Sequence, residues 1–304
     1  TDVMDKPVSA LARHFAFKQF QFVGISGPDW WLGIAIADVR YVSSGFAYFV
    51  RHSEPALELT LLRPLSWQIR MAESASAGQA RIGSKTCYWQ FDCQPGVWQV
   101  RLHSKSLQAD ITLHHGAQAP LALCAPTAYQ GCTYTEKNNA LALSGRLMVN
   151  GQPVDLQHAR GGYDFSAGFM RRETAWRWAS INTLLNGVPF GLNLAAGVNE
   201  TGLCENALWY QGLRQHLSPA RFRFSRSRKD VQASGQWQIN SSCGELDLCF
   251  TPGFCRQERL QLGLLASNFR QYTGFFDGSI RLHDGRQLTL VQCPGWTEDH
   301  YAKW

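Results

Sequence analysis

Three short stretches concentrate the side chains able to do chemistry. The first runs Gly162-Tyr163-Asp164-Phe165-Ser166-Ala167-Gly168 and continues through Arg171-Arg172-Glu173-Thr174-Ala175-Trp176-Arg177-Trp178. If Arg172 to Trp178 is one strand, Arg172, Thr174, Trp176 and Trp178 share a face, because side chains alternate along a strand. That face carries a cation, a hydroxyl and two indoles, with Asp164 and Ser166 at a turn just upstream. The second stretch is Asn193-Leu194-Ala195-Ala196-Gly197, followed by Cys204-Glu205-Asn206-Ala207-Leu208-Trp209. The third is the C-terminal run Gly295-Trp296-Thr297-Glu298-Asp299-His300-Tyr301-Ala302-Lys303-Trp304, in which Glu298 and His300 share a face when extended.

These residue types suit proton transfer on an apolar substrate. A carboxyl in an apolar pocket has a raised pKa, keeps its proton near neutral pH and can donate it to an alkene or carbonyl. Indole faces can stabilise positive charge developing on carbon. Asp164 is the first candidate acid and Glu205 the second. Arg172 against Asp164 would keep that carboxyl ionised; Arg172 would then anchor a substrate carboxylate, and Glu205 or the Glu298–His300 pair would supply the proton. The plainer alternative stays open: the Trp rings fill a core, Arg172 pairs with Asp164, Glu205 is a turn residue and His300 is structural; a lid is a further role open to Glu298–His300. A non-catalytic carrier of a lipid or small hydrophobic ligand is the rival function.

Several familiar machines are missing. There is no GxSxG elbow, HExxH helix, P-loop or GxGxxG turn. Glu245-Leu246-Asp247 has the E-x-D spacing of β-sandwich glycosidases, but Phe250 stands where a further acid is needed. Neither a metal nor a cofactor is expected; His114-His115 alone makes a poor metal site.

The elements that must position these groups are strands. Period-two alternation runs through Phe20–Val23, Trp30–Val39, Gly45–Val50, Leu57–Leu61, Trp67–Met71, Cys87–Phe91, Val97–Leu102, Ile111–Leu113 and Ala140–Val149. Asn150-Gly151 and Asp284-Gly285 suit tight hairpins, with Asp277-Gly278 a third candidate turn. Ala175–Leu185 fits a strand better than a helix. The 304 residues are comfortable for two domains. The best boundary lies near 150–162, dividing the chain into 1–155 and 156–304. The fold class expected is all-β: two antiparallel barrels or strongly curved sheets packed together.

Composition narrows the function classes. Apolar residues make up 45% and charged residues 17%, which excludes disorder. The net charge of +6 peaks at Arg221, Arg223, Arg226, Arg228 and Lys229, interleaved with Phe222 and Phe224. That reads as a strand with one wet face, or as a docking patch for an acidic membrane or nucleic acid. No nucleic-acid motif accompanies it. Nine cysteines without tight CxxC pairs argue for reduced, mostly buried thiols. Asn199 and Asn240 head short N-x-S/T matches expected by chance. No apolar run is long enough to span a membrane and no signal peptide heads the chain, so the expectation is cytoplasmic, with peripheral membrane contact as the alternative. The expected partner is a small hydrophobic or lipid-like ligand; oligomeric state stays open.

Taken together the motifs resemble a bacterial family, domain of unknown function 2804. The resemblance rests on Gly33 to Asp38 with Tyr41, Asp164-x-Ser166-x-Gly168, Arg172-x-Thr174-x-Trp176-x-Trp178, Asn193 with Gly197, Glu205 to Trp209, and Gly295-x-x-Glu298-x-His300-x-x-x-Trp304. Cys204 departs from it, since Ser more often precedes the Glu. The family is similar to a two-domain lipocalin-like group that includes carotenoid hydratases, fungal kievitone hydratase, some pericyclic cyclases and plant tocopherol cyclase. The resemblance implies lipocalin-like halves and large apolar, unsaturated substrates. Tyr163, Asp164, Gly168, Trp176 and Trp178 match loosely a Tyr-x-Asp-His-x-x-Gly stretch and a later Trp-x-Trp of the hydratases, with Phe165 replacing the His. The expected site thus comprises Asp164, Glu205, Glu298 and His300 for proton transfer. Tyr163, Ser166, Arg172, Thr174, Trp176, Trp178, Asn193 and Trp209 are expected to hold the substrate.

Overall fold

The computed structural model describes residues 9–66, 68–128, 131–198, 202–226, 234–263 and 265–303. Trp67, Asn199, Arg228, Lys229 and Trp304 lie outside the described residues. The chain is nearly all strand. The one helix among the described residues, Ala10–Ala16, starts at Ser9, whose Oγ accepts from Ala12 N at 3.1 Å. Such a side-chain cap satisfies an otherwise unpaired helix-end donor.

Two antiparallel sheets form, one a nearly closed barrel and the other a half-barrel, in a two-part lipocalin-like architecture. In the first sheet the strand Arg160–Phe169 lies between Phe17–Ser26 and Gly131–Val149. In the second, Gln287–Lys303 lies between Glu173–Leu185 and Leu265–Arg281. The chain leaves the first sheet after Phe169 and enters the second at Glu173, so the expected division at 155/156 falls inside the first sheet. Asn150 and Gly151 take positive φ (49° and 79°), but they only turn Gly131–Val149 into the short strand Gln152–Val154. Asp277-Gly278 is not a turn: Gly278 sits at a bulge within the strand Leu265–Arg281.

Each sheet fills its own concave side. Val23, Ile25, Leu32, Ile34 and Ile36 pack with Trp89 and Trp98 inside the first. Ile181, Phe190, Leu192, Trp237, Phe250 and Phe276 do so in the second. The polar residues singled out above mostly point the other way, onto a seam between the two sheets. Along Phe17–Ser26 the seam face carries Phe22, and neighbouring strands add Trp31, Ala35, Tyr48 and Val50. Trp178 and Trp296 meet them from the second sheet. This double coverage explains why Trp30–Asp38 is buried at almost every position. The molecule thus holds two apolar cores and a third, mixed layer between them.

Candidate functional site at the seam between the sheets

Register places the first acid. Phe22, Asp164 and Lys137 lie side by side on three adjacent strands. Alternation then puts Asp164 and Ser166 on the seam face and Tyr163 and Phe165 in the first core. Asp164 stands mid-strand, not at the turn expected from sequence. Lys137 Nζ donates to Asp164 Oδ2 and lies 3.4 Å from Glu205 Oε2. Ser166 Oγ donates to Asp164 Oδ1 at 3.2 Å and sits 2.8 Å from Thr135 Oγ1. Lys137, Asp164 and Glu205 are 4%, 8% and 5% exposed, so two carboxyls share one buried ammonium.

Burial pushes the Asp164 carboxyl up, and it outweighs the opposing pull of Lys137. Burial also draws Lys137 down, but the facing carboxyls of Asp164 and Glu205 outweigh it and hold the amine above its usual value. Glu205 reaches this group from just before the strand Ala207–Tyr210 of the second sheet, so the ion pair crosses the seam. Its neighbour Cys204 is half-buried, and burial pushes that thiol up.

A second polar group lies along the same layer. Trp178, Glu298 and Gln271 are register partners, as are Trp176, His300 and Phe269. Trp176 Nε1 donates to Glu298 Oε1 at 2.7 Å, and Gln271 Nε2 donates to Oε2 at 2.9 Å. Tyr48 of the first sheet donates through its hydroxyl to Gln271 Oε1. Burial drives the Tyr48 hydroxyl far above its ordinary range, so it stays a neutral donor. His300 packs on the Trp176 ring at 4.2 Å, approaches Glu298 Oε1 to 3.7 Å through Nδ1, and meets Ser267 Oγ at 3.0 Å through Nε2. Trp178 stands between the two groups. Its Nε1 donates to Asn193 Oδ1 at 2.7 Å, Asn193 Nδ2 donates to the Glu205 carbonyl at 2.6 Å, and Phe22 meets its ring edge-on at 5.8 Å.

The structure thus brings Asp164, Ser166, Glu205, Asn193 and Trp178 into one neighbourhood, and Glu298, His300 and Trp176 into the next. Glu298 and His300 belong to an inner strand of the second sheet, which leaves no room for the lid alternative. Four residues lie outside these two groups. Tyr163 stacks on Trp98 at 4.3 Å in the first core and donates to Glu136 Oε1 at 2.7 Å. Trp209 donates to the Ala119 carbonyl at 2.9 Å and packs with Leu121 and Ala207. Arg172 is exposed at the end of the seam, and the cation beside Asp164 is Lys137. Thr174 is buried and donates to the Arg171 carbonyl at 3.3 Å.

Sequence reasoning missed Lys137, Gln271 and Tyr48. Thr135, Lys137 and Asn139 form a polar set at period two, a pattern that reads as a solvated strand face. Only the second sheet, which covers that face, turns it into a buried site.

Two hollows open on the surface. One, of about 620 Å³, is lined by Arg177, Arg221, Arg223, Arg226 and their neighbours. There Arg226 holds Asp299 at 2.7 Å while Phe224 stacks on Trp237 inside. The other, of about 430 Å³, is lined by Lys18, Tyr41 and Arg172 with the helix Ala10–Ala16. Among the described residues no three His, Cys, Asp or Glu side chains converge as metal ligands. No disulfide joins any of the nine cysteines. No described helix is long and apolar enough to cross a membrane.

The profile of the family "Domain of unknown function (DUF2804)" matches residues 2–304. The chain belongs to that family. Comparison with curated proteins gave no match. Three solved structures share the fold of this DUF2804 member. CghA with Sch210972 superposes with a TM-score of 0.64 at 9% identity, covering 94% of this chain and 88% of CghA. Kievitone hydratase from Nectria haematococca gives 0.58 at 10% identity, with 94% and 88% covered. A putative AttH from Nitrosomonas europaea gives 0.53 at 12% identity, with 94% and 92% covered.

Proposed function

We propose that this DUF2804 protein is a cofactor-independent enzyme that transfers a proton to an apolar, unsaturated substrate, an isoprenoid or fatty acyl lipid, in a hydration, isomerisation or cyclisation. The observation that carries this reading is the pair of buried carboxyls, Asp164 and Glu205, on the single ammonium of Lys137. One cation offsets one carboxylate. A second ionised carboxyl would leave an uncompensated charge in a layer lined by Phe22 and Trp178, so the group retains a proton. The direction of the Asp164 shift supports that residue as its carrier.

In a hydration, Asp164 gives its proton to one alkene carbon, and the π electrons form the new C–H bond. The cation left on the other carbon faces the indoles of Trp178 and Trp176, each contributing ~0.5–2 kcal/mol. Water adds to that carbon and returns a proton to Asp164, so the acid is regenerated. The name kievitone hydratase among the structural neighbours supports this reaction class.

A second reading, a hydrophobic-ligand carrier, is favoured by one observation: both oxygens of Glu298 already have partners, as in a structural network. Incubating the protein with unsaturated lipids in deuterated water separates the two. The enzyme yields products carrying deuterium on carbon; Asp164→Asn abolishes them while ligand affinity is kept. Tight binding of a co-purified lipid, with no product from any substrate and no effect of Asp164→Asn, establishes the carrier instead.

A further inference from the structure

The seam has two different ends. At one, Ser26 Oγ donates to the Asn182 carbonyl at 2.6 Å and the Asn182 amide donates to the Gly24 carbonyl at 3.4 Å. The backbones are locked together there. At the other lies the hollow of about 430 Å³ lined by Lys18, Tyr41, Phe15, Met170 and Arg172. Lys18 shares a face with Phe20 and Phe22, so this hollow continues the seam outward.

The chemistry of the hollow is one-sided. Its walls are Phe15 stacked on Tyr41 at 4.6 Å, Leu11 and Met170. Its two charges, Lys18 and Arg172, are both positive, and no acid lines it among the described residues. Lys18 is only 2% exposed; its ammonium donates to the Phe15 carbonyl and lies 4.9 Å from the Tyr41 ring centre. Burial lowers this amine to about 8, against the opposing influence of Asp38, so a buried cation here gains from an anionic neighbour.

We propose that this hollow is the mouth of the substrate site and admits a long-chain carboxylate, whose head is held by Arg172 and Lys18 while its chain runs inward past Phe20 to Phe22. The proposal rests on the seam being the substrate site and adds the class of substrate. It also fixes where the chain reacts. From Lys18 to Phe22, the register partner of Asp164, is four residues, roughly 13 Å at a strand's rise. With carbon–carbon bonds of about 1.5 Å, roughly ten extended chain carbons cover that span. A double bond near the middle of a fatty chain is thereby set against Asp164.

Parinaric acid and its matching alcohol test this, read by energy transfer from tryptophan to the polyene. The acid is expected to bind about tenfold tighter than the alcohol, and Arg172→Gln to remove about that factor for the acid alone. Arg172 is exposed, so the variant is expected to fold; unchanged circular dichroism confirms it. Equal affinity of acid and alcohol, or an equal loss for both in Arg172→Gln, overturns the carboxylate mouth and leaves the seam reading standing. Failure of both ligands to bind removes the seam reading as well.

Discussion

Asp164 and Lys137 form a pair whose meaning depends on where water is. On an exposed sheet they would be an ordinary surface ion pair worth little. Under the second sheet they lose solvent: the facing carboxyls keep Lys137 charged, while burial and the neighbouring Glu205 push Asp164 toward its protonated form. The pH dependence follows from the direction of the Asp164 shift. Its pKa in the folded chain is raised above the ordinary aspartate value of 3.8. Its contribution to stability is therefore complete below that value and is lost as pH rises through the raised one. Lys137 is also raised in the wild type, so its contribution there is present throughout the range below 10.5. Denaturant melts of wild type and Asp164→Asn from about pH 4 to 8 are expected to show wild type losing stability relative to the variant as pH rises. A gap that widens in favour of wild type would mean that Lys137 keeps Asp164 ionised.

Among the elements, the strand Gly131–Val149 does most to position the site. Its first half pairs with Arg160–Phe169 and its second with Leu107–His114, with a register shift between Asn138 and Leu141. Ala140 takes φ of 59° at that shift. The shift lets Asn139 leave its own sheet: its amide donates to Ser180 Oγ and the Leu192 carbonyl, each at 2.8 Å, while Asn182 accepts from Ala140 N at 2.8 Å. Bulges of this kind often re-aim side chains beside functional sites. The close approach depends on Gly162, where a Cβ would stand 2.7 Å from Asn182 Oδ1 and 2.9 Å from the Asn138 carbonyl. Gly162→Ala is expected to destabilise the protein by about 1–3 kcal/mol through overpacking, measured by denaturant unfolding. Wild-type stability in that variant would show that the two backbones can separate at this end of the seam.

At the scale of the molecule, the two sheets are unequal partners sharing one layer. Arg256 of the second sheet, 4% exposed, reaches Glu58 at 2.9 Å and Thr60 at 3.0 Å in the first and lies over the Phe46 ring at 4.5 Å. Cutting the chain after Phe169 would uncover Phe22, Trp31, Tyr48 and Val50 together. A fragment of residues 9–169 is expected to aggregate or to bind a hydrophobic dye strongly, since a contiguous apolar patch of this kind is rarely left exposed. A monomeric, dye-silent fragment in analytical ultracentrifugation would show that the first sheet does not need the second.

Local chemistry alone settled the strands, the Asn150-Gly151 turn and the grouping of Trp176 with Trp178, because alternation and turn geometry act over a few neighbouring residues. It also pointed to Asp164, Glu205, Glu298 and His300, since carboxyls and an imidazole among aromatics are uncommon in a strand. The direction in which those groups face was decided only by tertiary structure. A period-two pattern distinguishes two faces of a sheet but does not say which one meets water. The second sheet buries the polar face of the first, and that burial alone makes Lys137 part of the site, sends Tyr163 into a core and leaves Arg172 at the rim.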